Sequence, residues 1–302
     1  MTPRLERCVP GAVLIAIVLG VGPGGAQTPS LQSVRADVER LIRQSGGEVA
    51  VVWRPLDARS GEALLINETT RFHAASTMKV PVMIELFRRV EAQQLKLTDV
   101  VEVTNQFHSI VEGSPYTLSV SADSDGVTYK AIGAPMTLAA LCDAMITVSS
   151  NLAANLLIEK LGAREIQATV DRLGASGMQV LRGVEDQKAF DQGRNNTTDA
   201  AGLARLLELI GRGEAVSRAA SAGMVEILKR QTFNDGIPAG LPAGTVVAHK
   251  TGTITAVHHD AGIVYATRPY VLVVLTRGIS DEKRSDVLVA SISRAVFPLA
   301  GR

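Results

Sequence analysis

Residues 245–276, TVVAHKTGTITAVHHDAGIVYATRPYVLVVLT, predict three successive strands. Valine, isoleucine, threonine and tyrosine are frequent there, and short breaks divide the stretch into the runs 245–251, 262–267 and 270–276. A last helix is predicted from Asp281 to about Phe297, with Ser280 as its N-terminal cap. This part of the chain therefore predicts a sheet followed by a helix.

The N-terminal part of the chain predicts more strands, and the middle predicts helices. Short β-rich runs at 48–53 and 63–67 flank a turn over 57–61. Thr137 is a candidate cap for one of the middle helices. Apolar residues at helical spacing predict helices over residues 31–42, 78–95, 138–146, 151–160, 164–173, 200–210 and 217–229.

Strands at both ends with helices between them predict an α+β fold. The simplest architecture is a sheet lobe from about 27–75 and 213–302, with an all-helical lobe from about 76–212 inserted into it. Residues 105–135 are rich in serine, aspartate and glycine, and they predict a long surface loop.

The chain has 302 residues, of which 46% are hydrophobic and 20% are charged, so it is long enough for one large domain. The net charge of +1 argues against a nucleic-acid partner. An export signal is predicted, because arginines precede the apolar run 9–21 and small residues at 24–26 offer a cleavage site before Gln27. A membrane anchor is the alternative, but the run is short for a span. Removal of residues 1–26 would leave Cys142 as the one cysteine, so no internal disulfide is expected. The mature protein is expected to be exported, either periplasmic or secreted, with no membrane attachment.

Ser76-Thr77-Met78-Lys79 has the pattern Ser-x-x-Lys. Pro81 has no N–H and is tolerated only near a helix start, which predicts that Ser76 lies in the first turn. Residues three apart share a helix face, so the Lys79 amine can reach the Ser76 hydroxyl, and desolvation near another cation would let it act as a base. Alone the pattern is weak, since residues 280–283 also match it and are better interpreted as a helix cap.

Two more motifs follow in the chain. Ser149-Ser150-Asn151 lies at a joint between two predicted helices, where its side chains either face a cleft or cap a helix. Lys250-Thr251-Gly252-Thr253 lies on a predicted strand, where alternation separates Lys250 and Gly252 from the two threonines. An ordinary edge strand would also explain the Lys-Thr-Gly motif. The three motifs together, at a helix start, a helix joint and a strand, are strong evidence for a common site.

With these motifs, the sequence resembles the class A β-lactamases from about Gln32 to Leu299. The phrases STMKVPVM, MITVSSNLAANLLIEKLG and VAHKTGTITAVHHDAGIVY carry the resemblance. It implies a β-lactamase/transpeptidase-like fold, with an antiparallel sheet flanked by helices and an inserted helical lobe. It also implies hydrolysis of a small-molecule β-lactam without a metal or other cofactor. A monomer is the default expectation.

The resemblance implies a role for each matched residue. Ser76 attacks the lactam carbonyl, Lys79 helps to take its proton, and Ser149 relays a proton to the leaving nitrogen. Lys250 supplies positive charge. The residues implied to bind the substrate are Asn151, Thr251, Gly252 and Thr253, and the backbone N–H groups of Ser76 and Thr253 are the implied oxyanion hole.

Hydrolysis of an acyl-enzyme also needs a base that activates water. The family carries a glutamate for this purpose on a loop before a Thr-Thr element. Glu185, which precedes Thr197-Thr198, is the best candidate for this base, and Asp186 and Asp191 are the alternatives.

Several features of the family pattern are missing. Ala189 stands where an asparagine helps to hold the water, and Asn195 stands where an aspartate closes the neck of the loop. Ser150 replaces a structural carboxylate. No arginine for the substrate carboxylate is evident, and Arg277 and His258 are the candidates for that contact.

Other functions remain open at this point. His258-His259-Asp260 suggests a metal site, but adjacent strand residues point to opposite faces and chelate poorly. A related serine acyl enzyme, such as a D-alanyl-D-alanine peptidase or an esterase, would share the three motifs without needing Glu185. A ligand-binding relative without turnover is the third hypothesis, and the presence of Ser76 and Lys79 together argues against it.

Overall fold

A computed structural model describes Met1, residues 29–57 and residues 61–301. The predicted signal segment, apart from Met1, lies outside the described residues, as do residues 58–60 of the predicted turn. Within the described ranges, no helix is both long enough and apolar enough to cross a membrane.

A five-stranded antiparallel sheet, in the order β2-β1-β11-β10-β9, joins strands from both ends of the chain. This arrangement confirms the predicted fold class. The strands are β1 (Glu48–Pro55), β2 (Leu64–Ile66), β3 (Phe72–His73), β4 (Val100–Glu102), β5 (Phe107–His108), β6 (Pro115–Tyr116), β7 (Pro135–Thr137), β8 (Thr197–Thr198), β9 (Val246–Ile254), β10 (Val257–Tyr265) and β11 (Tyr270–Arg277).

The hairpin between β9 and β10 differs from its prediction. The second strand was expected over 262–267, but β10 already begins at Val257, which pairs with Ile254 across a two-residue turn. Ala256 in this turn has a φ of 55°, as tight hairpin turns require. The polar run 258–260 hid the strand, because these side chains are buried in the sheet rather than exposed.

The eight predicted helices are present and in order, with differences at their ends, and two short helices over residues 126–130 and 187–191 were not predicted. Thr137 caps α4 as predicted, through its side chain and the Ala140 N–H. Asp281 rather than Ser280 caps α10. The first helix after Ser76 ends at residue 91 rather than 95. The helices are α1 (Leu31–Ser45), α2 (Lys79–Glu91), α3 (Gly126–Lys130), α4 (Leu138–Thr147), α5 (Asn151–Leu161), α6 (Ala163–Arg172), α7 (Gln187–Asp191), α8 (Ala200–Arg212), α9 (Arg218–Leu228) and α10 (Glu282–Val296).

Both faces of the sheet are buried against helices. Along β11, Val271, Val273 and Leu275 belong to the core shared with the central helices. Leu272 and Val274 alternate with them and belong to a second core, which is formed with α1 and α10. Side chains on a strand alternate between faces, so one apolar strand serves two cores.

The segment 105–135 is not the bare surface loop that its composition predicts. It contains the β5–β6 hairpin and the short helix α3, and it buries Phe107 and Tyr129. These aromatic side chains anchor the segment on the helices, so that its polar residues are held at fixed positions.

Candidate active site

Ser76 lies in a single 3₁₀ turn, Ala75–Met78, that leads directly into α2. Ala75 has a φ of 45°, and its N–H donates to Nδ1 of His73 at 3.0 Å. Burial, together with the charge of Arg182, lowers the pKa of His73 to about 4, so the ring is neutral and can accept this bond. The turn therefore presents Ser76 at the N-terminal end of a helix, where the helix dipole favours negative charge.

Strand β9 packs closely against this turn. A Cβ atom on Gly252 would lie 3.0 Å from the backbone nitrogen of Ser76 and 3.1 Å from that of Thr77, so a larger side chain does not fit. Lys250 and Gly252 face the helices, whereas Thr251 and Thr253 line the cleft in front of Ser76.

The Lys79 side chain is fully buried, and its amine contacts three residues of the site. Its Nζ lies 3.0 Å from Ser76 Oγ, 2.7 Å from Ser149 O and 2.8 Å from Asn151 Oδ1. Burial lowers the pKa of Lys79 to about 7, against the opposing charges of Asp123 and Glu185. A large share of this amine is therefore unprotonated at neutral pH.

Ser149 lies between the two buried lysines. Its Oγ accepts from Lys250 Nζ at 2.9 Å, and it lies 3.3 Å from Lys79 Nζ. Burial and the charge of Lys79 hold the pKa of Lys250 well below its normal value. Ser149 has a φ of 59°, a strained conformation for a residue with a side chain.

The amide of Asn151 connects Lys79 to Glu185. Its Oδ1 accepts from Lys79, and its Nδ2 donates to Glu185 Oε1 at 2.8 Å. Glu185 has a φ of 61°, which turns its side chain from the loop toward this amide. The structure therefore brings Ser76, Lys79, Ser149, Asn151 and Glu185 together.

The two alternative carboxylates are placed differently. Asp186 is buried and accepts from Ser109 Oγ, Ile110 N and Ala189 N. Although burial opposes ionisation, these hydrogen bonds keep the pKa of Asp186 below normal. Asp191 is exposed and accepts from Gln187. Only Glu185 of the three contacts the residues around Ser76, because Asp186 is occupied as the cap of α7.

The loop that carries Glu185 is closed at its neck by amide groups. The buried Arg182 donates through Nη2 to Asn195 Oδ1 at 2.8 Å and through Nε to Arg194 O at 2.9 Å. Asn196 accepts from the backbone N–H of Leu181 at 2.8 Å. Asn195 therefore makes the contact expected of the missing aspartate, without its charge.

Two concave surfaces meet at Ser76, Asn151 and Thr253. The first, called the serine cleft here, also contains Ser149, Thr251 and His258. The second, called the loop pocket, also contains Glu185 and Phe190. Ser76 is thus open to a ligand from one side and to the glutamate loop from the other.

His258 borders the serine cleft and Arg277 does not. His258 Nδ1 lies 2.8 Å from Thr253 Oγ1, and Nε2 lies 2.6 Å from Asp286 Oδ1. Arg277 instead bonds Glu48 and stacks on a phenylalanine ring. Of the two candidates for the substrate carboxylate, only His258 is in position.

His259 points away from His258. Its Nε2 donates to His73 O at 2.8 Å, and its Nδ1 accepts from the Thr276 N–H at 3.1 Å. Burial lowers the pKa of His259 to about 4, which fits this neutral form. In the part of the chain that the structure describes, no group of three or more histidine, cysteine, aspartate or glutamate side chains is arranged to hold a metal ion.

Sequence reasoning missed four acidic residues that border the serine cleft. They are Asp123, Asp235, Glu282 and Asp286. They come from three separate segments, and only Glu282 lies in a sequence match, that of residues 280–283, which was interpreted as a helix cap, so no local pattern pointed to them. The one available signal was the acidic, serine-rich composition around residue 123.

A model of the β-lactamase enzyme family matches residues 33–299. The chain belongs to this family. A β-lactamase of Amycolatopsis lactamdurans is 28% identical over 287 residues, which cover 92% of this chain and 89% of that protein. The resemblance to class A β-lactamases and the prediction of an enzyme, a hydrolase of this family, are thereby confirmed.

Solved structures of the β-lactamase family support the same fold. An ancestral class A β-lactamase has a TM-score of 0.75 and 28% identity, with 87% of this chain and 98% of that chain covered. A mutant of PBP-A, solved as an acyl-enzyme complex with penicillin-G, has a TM-score of 0.75 and 27% identity, with 89% and 96% covered.

Proposed function

We propose that this member of the β-lactamase family is a serine β-lactamase in which Ser76 is acylated by the β-lactam. The observation that carries the proposal is the environment of Lys79. A neutral amine has two N–H donors and one lone pair. With Ser149 O and Asn151 Oδ1 as acceptors of the two donors, the lone pair is directed at Ser76 Oγ, 3.0 Å away. Lys79 is therefore the base that takes the serine proton.

In acylation, the Ser76 oxygen attacks the lactam carbonyl and the ring C–N bond breaks. The backbone N–H groups of Ser76 and Thr253 stabilise the oxyanion. Ser149 Oγ accepts from Lys250, so its own proton is free to point toward the leaving nitrogen. As Ser149 gives this proton to the nitrogen, Lys79, 3.3 Å away, passes the proton taken from Ser76 to the Ser149 oxygen. When Lys79 is neutral, its charge no longer lowers the pKa of Lys250, although burial still does, and the ammonium form of Lys250 favours the binding of an anionic substrate.

Deacylation is assigned to water activated by Glu185. The carboxylate is held by Asn151, which also holds Lys79, so both steps share one amide. Ala189 offers no side-chain donor or acceptor to this water, so we expect slow deacylation relative to acylation. With water activated by Glu185 in this way, the acyl-enzyme is hydrolysed and does not remain as a trapped adduct.

Substrate binding is assigned to the strand edge and to Asn151. Thr251 and Thr253 line the serine cleft, Gly252 between them allows the strand to approach Ser76 closely, and Asn151 borders both concave surfaces. His258 is the proposed partner of the substrate carboxylate, together with the hydroxyl of Thr253 beside it.

A related serine acyl enzyme with slow or no β-lactam turnover, a D-alanyl-D-alanine peptidase or an esterase, is the second candidate. The likeness to PBP-A, and the absence of an amide side chain at Ala189, are the observations in its favour. The contact between Glu185 and Asn151 favours the β-lactamase, because a peptidase does not require it.

We further propose that the protein is exported, with residues 1–26 removed, and acts in the periplasm or as a secreted enzyme, where it would confer β-lactam resistance. Residues 27–302 then form one catalytic domain with a sheet lobe (27–75 and 213–302) and a helical lobe (76–212). No membrane, nucleic-acid, metal or cofactor requirement is proposed, and the monomer is the proposed unit.

The test is steady-state turnover of a chromogenic cephalosporin and a fluorescent penicillin by the mature protein. Ser76→Ala is expected to abolish turnover. Glu185→Gln is expected to acylate normally and to turn over about 10²- to 10⁴-fold more slowly, the usual contribution of a general base. Asp191→Asn is the matched control, because Asp191 is exposed and accepts a hydrogen bond from Gln187 away from Ser76.

The outcomes separate the hypotheses. Fast wild-type turnover that both active-site substitutions remove supports the β-lactamase. A stable wild-type adduct without turnover supports the peptidase or esterase. Equal turnover by wild type and Glu185→Gln rejects the role of Glu185, and no labelling at all rejects both enzymes.

A further inference from the structure

The turn that carries Ser149 and Asn151 is held by residues from the segment 105–135. Asp123 Oδ2 accepts from the backbone N–H groups of Asn151 at 2.8 Å and Leu152 at 3.1 Å. Ser124 Oγ donates to the carbonyl oxygen of Val148, on the other side of the turn. Ser124 and Asp123 therefore form hydrogen bonds with the backbone on both sides of Ser149.

A third contact comes from the same segment. The hydroxyl of Ser150 lies near the carboxylate of Asp125 and contributes to the lowered pKa of that carboxyl. Although burial opposes ionisation, hydrogen bonds from Thr128, Val127 and Ser150 keep the pKa of Asp125 below normal. Contacts with Val148, Ser150, Asn151 and Leu152 thus all originate within residues 123–125.

The start of α5 needs these acceptors. The first N–H groups of a helix have no partner within the helix. Ser150 Oγ caps the N–H of Ala153, which leaves those of Asn151 and Leu152 without a local acceptor. Ser150 stands where the class A pattern has a carboxylate, and Asp123 brings a carboxylate to the same turn from 28 residues earlier in the chain.

The turn determines two of the contacts of Lys79. Ser149 O and Asn151 Oδ1 accept from the amine at 2.7 Å and 2.8 Å, and they orient it toward Ser76. Ser149 has a φ of 59°, so the turn is strained and needs contacts outside itself to persist. Without these contacts, the turn would relax and the amine would lose both acceptors.

We propose that Asp123 is a positioning residue that holds the Ser149–Asn151 turn, and through it Lys79, in the geometry for acylation. The inference rests on the proposed function, in which Ser76 is acylated with Lys79 as the base. Asp123 supplies a carboxylate to the turn in which Ser150 provides none. The segment 105–135 therefore helps to position the catalytic residues, in addition to bordering the cleft.

Asp123 also acts on Lys79 through its charge. Three charged groups surround the amine: Asp123 and Glu185 favour its ammonium form, and Lys250 disfavours it. Loss of the Asp123 charge removes a factor that raises the pKa of Lys79. The pH below which acylation slows should then move to a lower value.

The test compares Asp123→Asn and Asp123→Ala with the wild type in single-turnover acylation by a chromogenic cephalosporin, followed over pH 5–9. Asp123→Ala is expected to slow acylation about tenfold or more at high pH, the loss expected for one charge-assisted hydrogen bond that positions the base. In both variants the acid limb of the pH profile should move to lower pH. Asp99→Asn is the control, because its carboxylate also accepts a backbone N–H, from Lys96, but lies outside the site.

Each result has a distinct meaning. A wild-type rate and an unmoved acid limb in both Asp123 variants overturn the inference, even if their melting temperatures fall. If Asp123→Ala does not fold, Asp123→Asn alone still tests the shift of the acid limb. Acylation that survives in Ser76→Ala, or no acylation of the wild type, overturns the proposed function instead.

Discussion

Lys79 is buried, and among the described residues no carboxylate is in direct contact with its amine, so burial lowers its pKa to about 7. The ammonium form cannot accept a proton from Ser76, so acylation should follow the neutral fraction of Lys79. Above pH 7 the acylation rate constant should hardly change with pH. Below pH 7 it should fall about tenfold for each pH unit, which forms the acid limb of the profile. Single-turnover acylation between pH 5 and 9 measures this limb.

The same profile in Glu185→Gln is the control for this pH dependence. Because the charge of Glu185 raises the pKa of Lys79, its removal should move the acid limb of acylation to a lower pH, but the limb itself should remain. A rate constant that is flat down to pH 5, or a limb that disappears in Glu185→Gln, would show that Lys79 is not the base.

The residues of the site differ in how far sequence alone predicts their positions. Ser76 and Lys79 are three apart at a helix start, so their contact follows from helix geometry. The choice of Glu185 over Asp186 depends on a φ of 61° and on the capping role of Asp186, which no spacing reveals. The contact of Asp123 with Asn151 depends on the path of an irregular segment, so sequence reasoning had no means to find it.

At the scale of elements, the contact between β9 and the Ser76 turn is set by Gly252. In Gly252→Ala the new Cβ would meet two backbone nitrogens, at 3.0 and 3.1 Å, and neither can move without shifting the turn. We expect a loss of about 1–3 kcal/mol in the free energy of unfolding, and a slower acylation of Ser76. Urea unfolding and single-turnover kinetics measure the two effects.

Gly126→Ala is the control for this substitution. Gly126 lies in α3, and a Cβ there would meet nothing within 4 Å. It should leave the free energy of unfolding and the acylation rate within error of the wild type. If Gly252→Ala behaves in the same way, the close packing of strand on turn is not required.

The loop that carries Glu185 offers a second prediction at this scale. Asn195→Asp would place a carboxylate against the buried guanidinium of Arg182, where Asn195 Oδ1 now accepts at 2.8 Å. A charge-assisted hydrogen bond is stronger by about 1 kcal/mol, which should raise Tm at pH 7 by about 2–4 °C.

The pH dependence of that gain distinguishes its cause. A paired aspartate has a lowered pKa in the folded state, so the added stability is present at neutral pH and is lost as the pH falls through that pKa. Thermal unfolding at pH 7 and pH 3 makes the comparison. An unchanged Tm at pH 7, or a gain that persists at pH 3, would contradict an ionic contact at the loop neck.

At the scale of the whole molecule, the order of strands and helices predicted the architecture because apolar periodicity is strong in most elements. β11 is apolar at every position that the two cores require, and it was predicted to within one residue. β10 was placed too late because His258, His259 and Asp260 are buried through hydrogen bonds, which a hydrophobic pattern does not register. The composition of the segment 105–135 predicts a surface loop, because its few buried aromatic residues do not recur at the spacing of a helix or a strand.

Acylation of Ser76 adds the mass of the β-lactam to the protein, so mass spectrometry tests it directly. Glu185→Gln is mixed with a penicillin, quenched with acid within seconds and digested, and the peptides are analysed by mass spectrometry. We expect one adduct with the mass of the whole penicillin, on the peptide that contains Ser76, and none in Ser76→Ala. An adduct on another residue, or an unmodified Ser76 peptide while the penicillin is consumed, would contradict it.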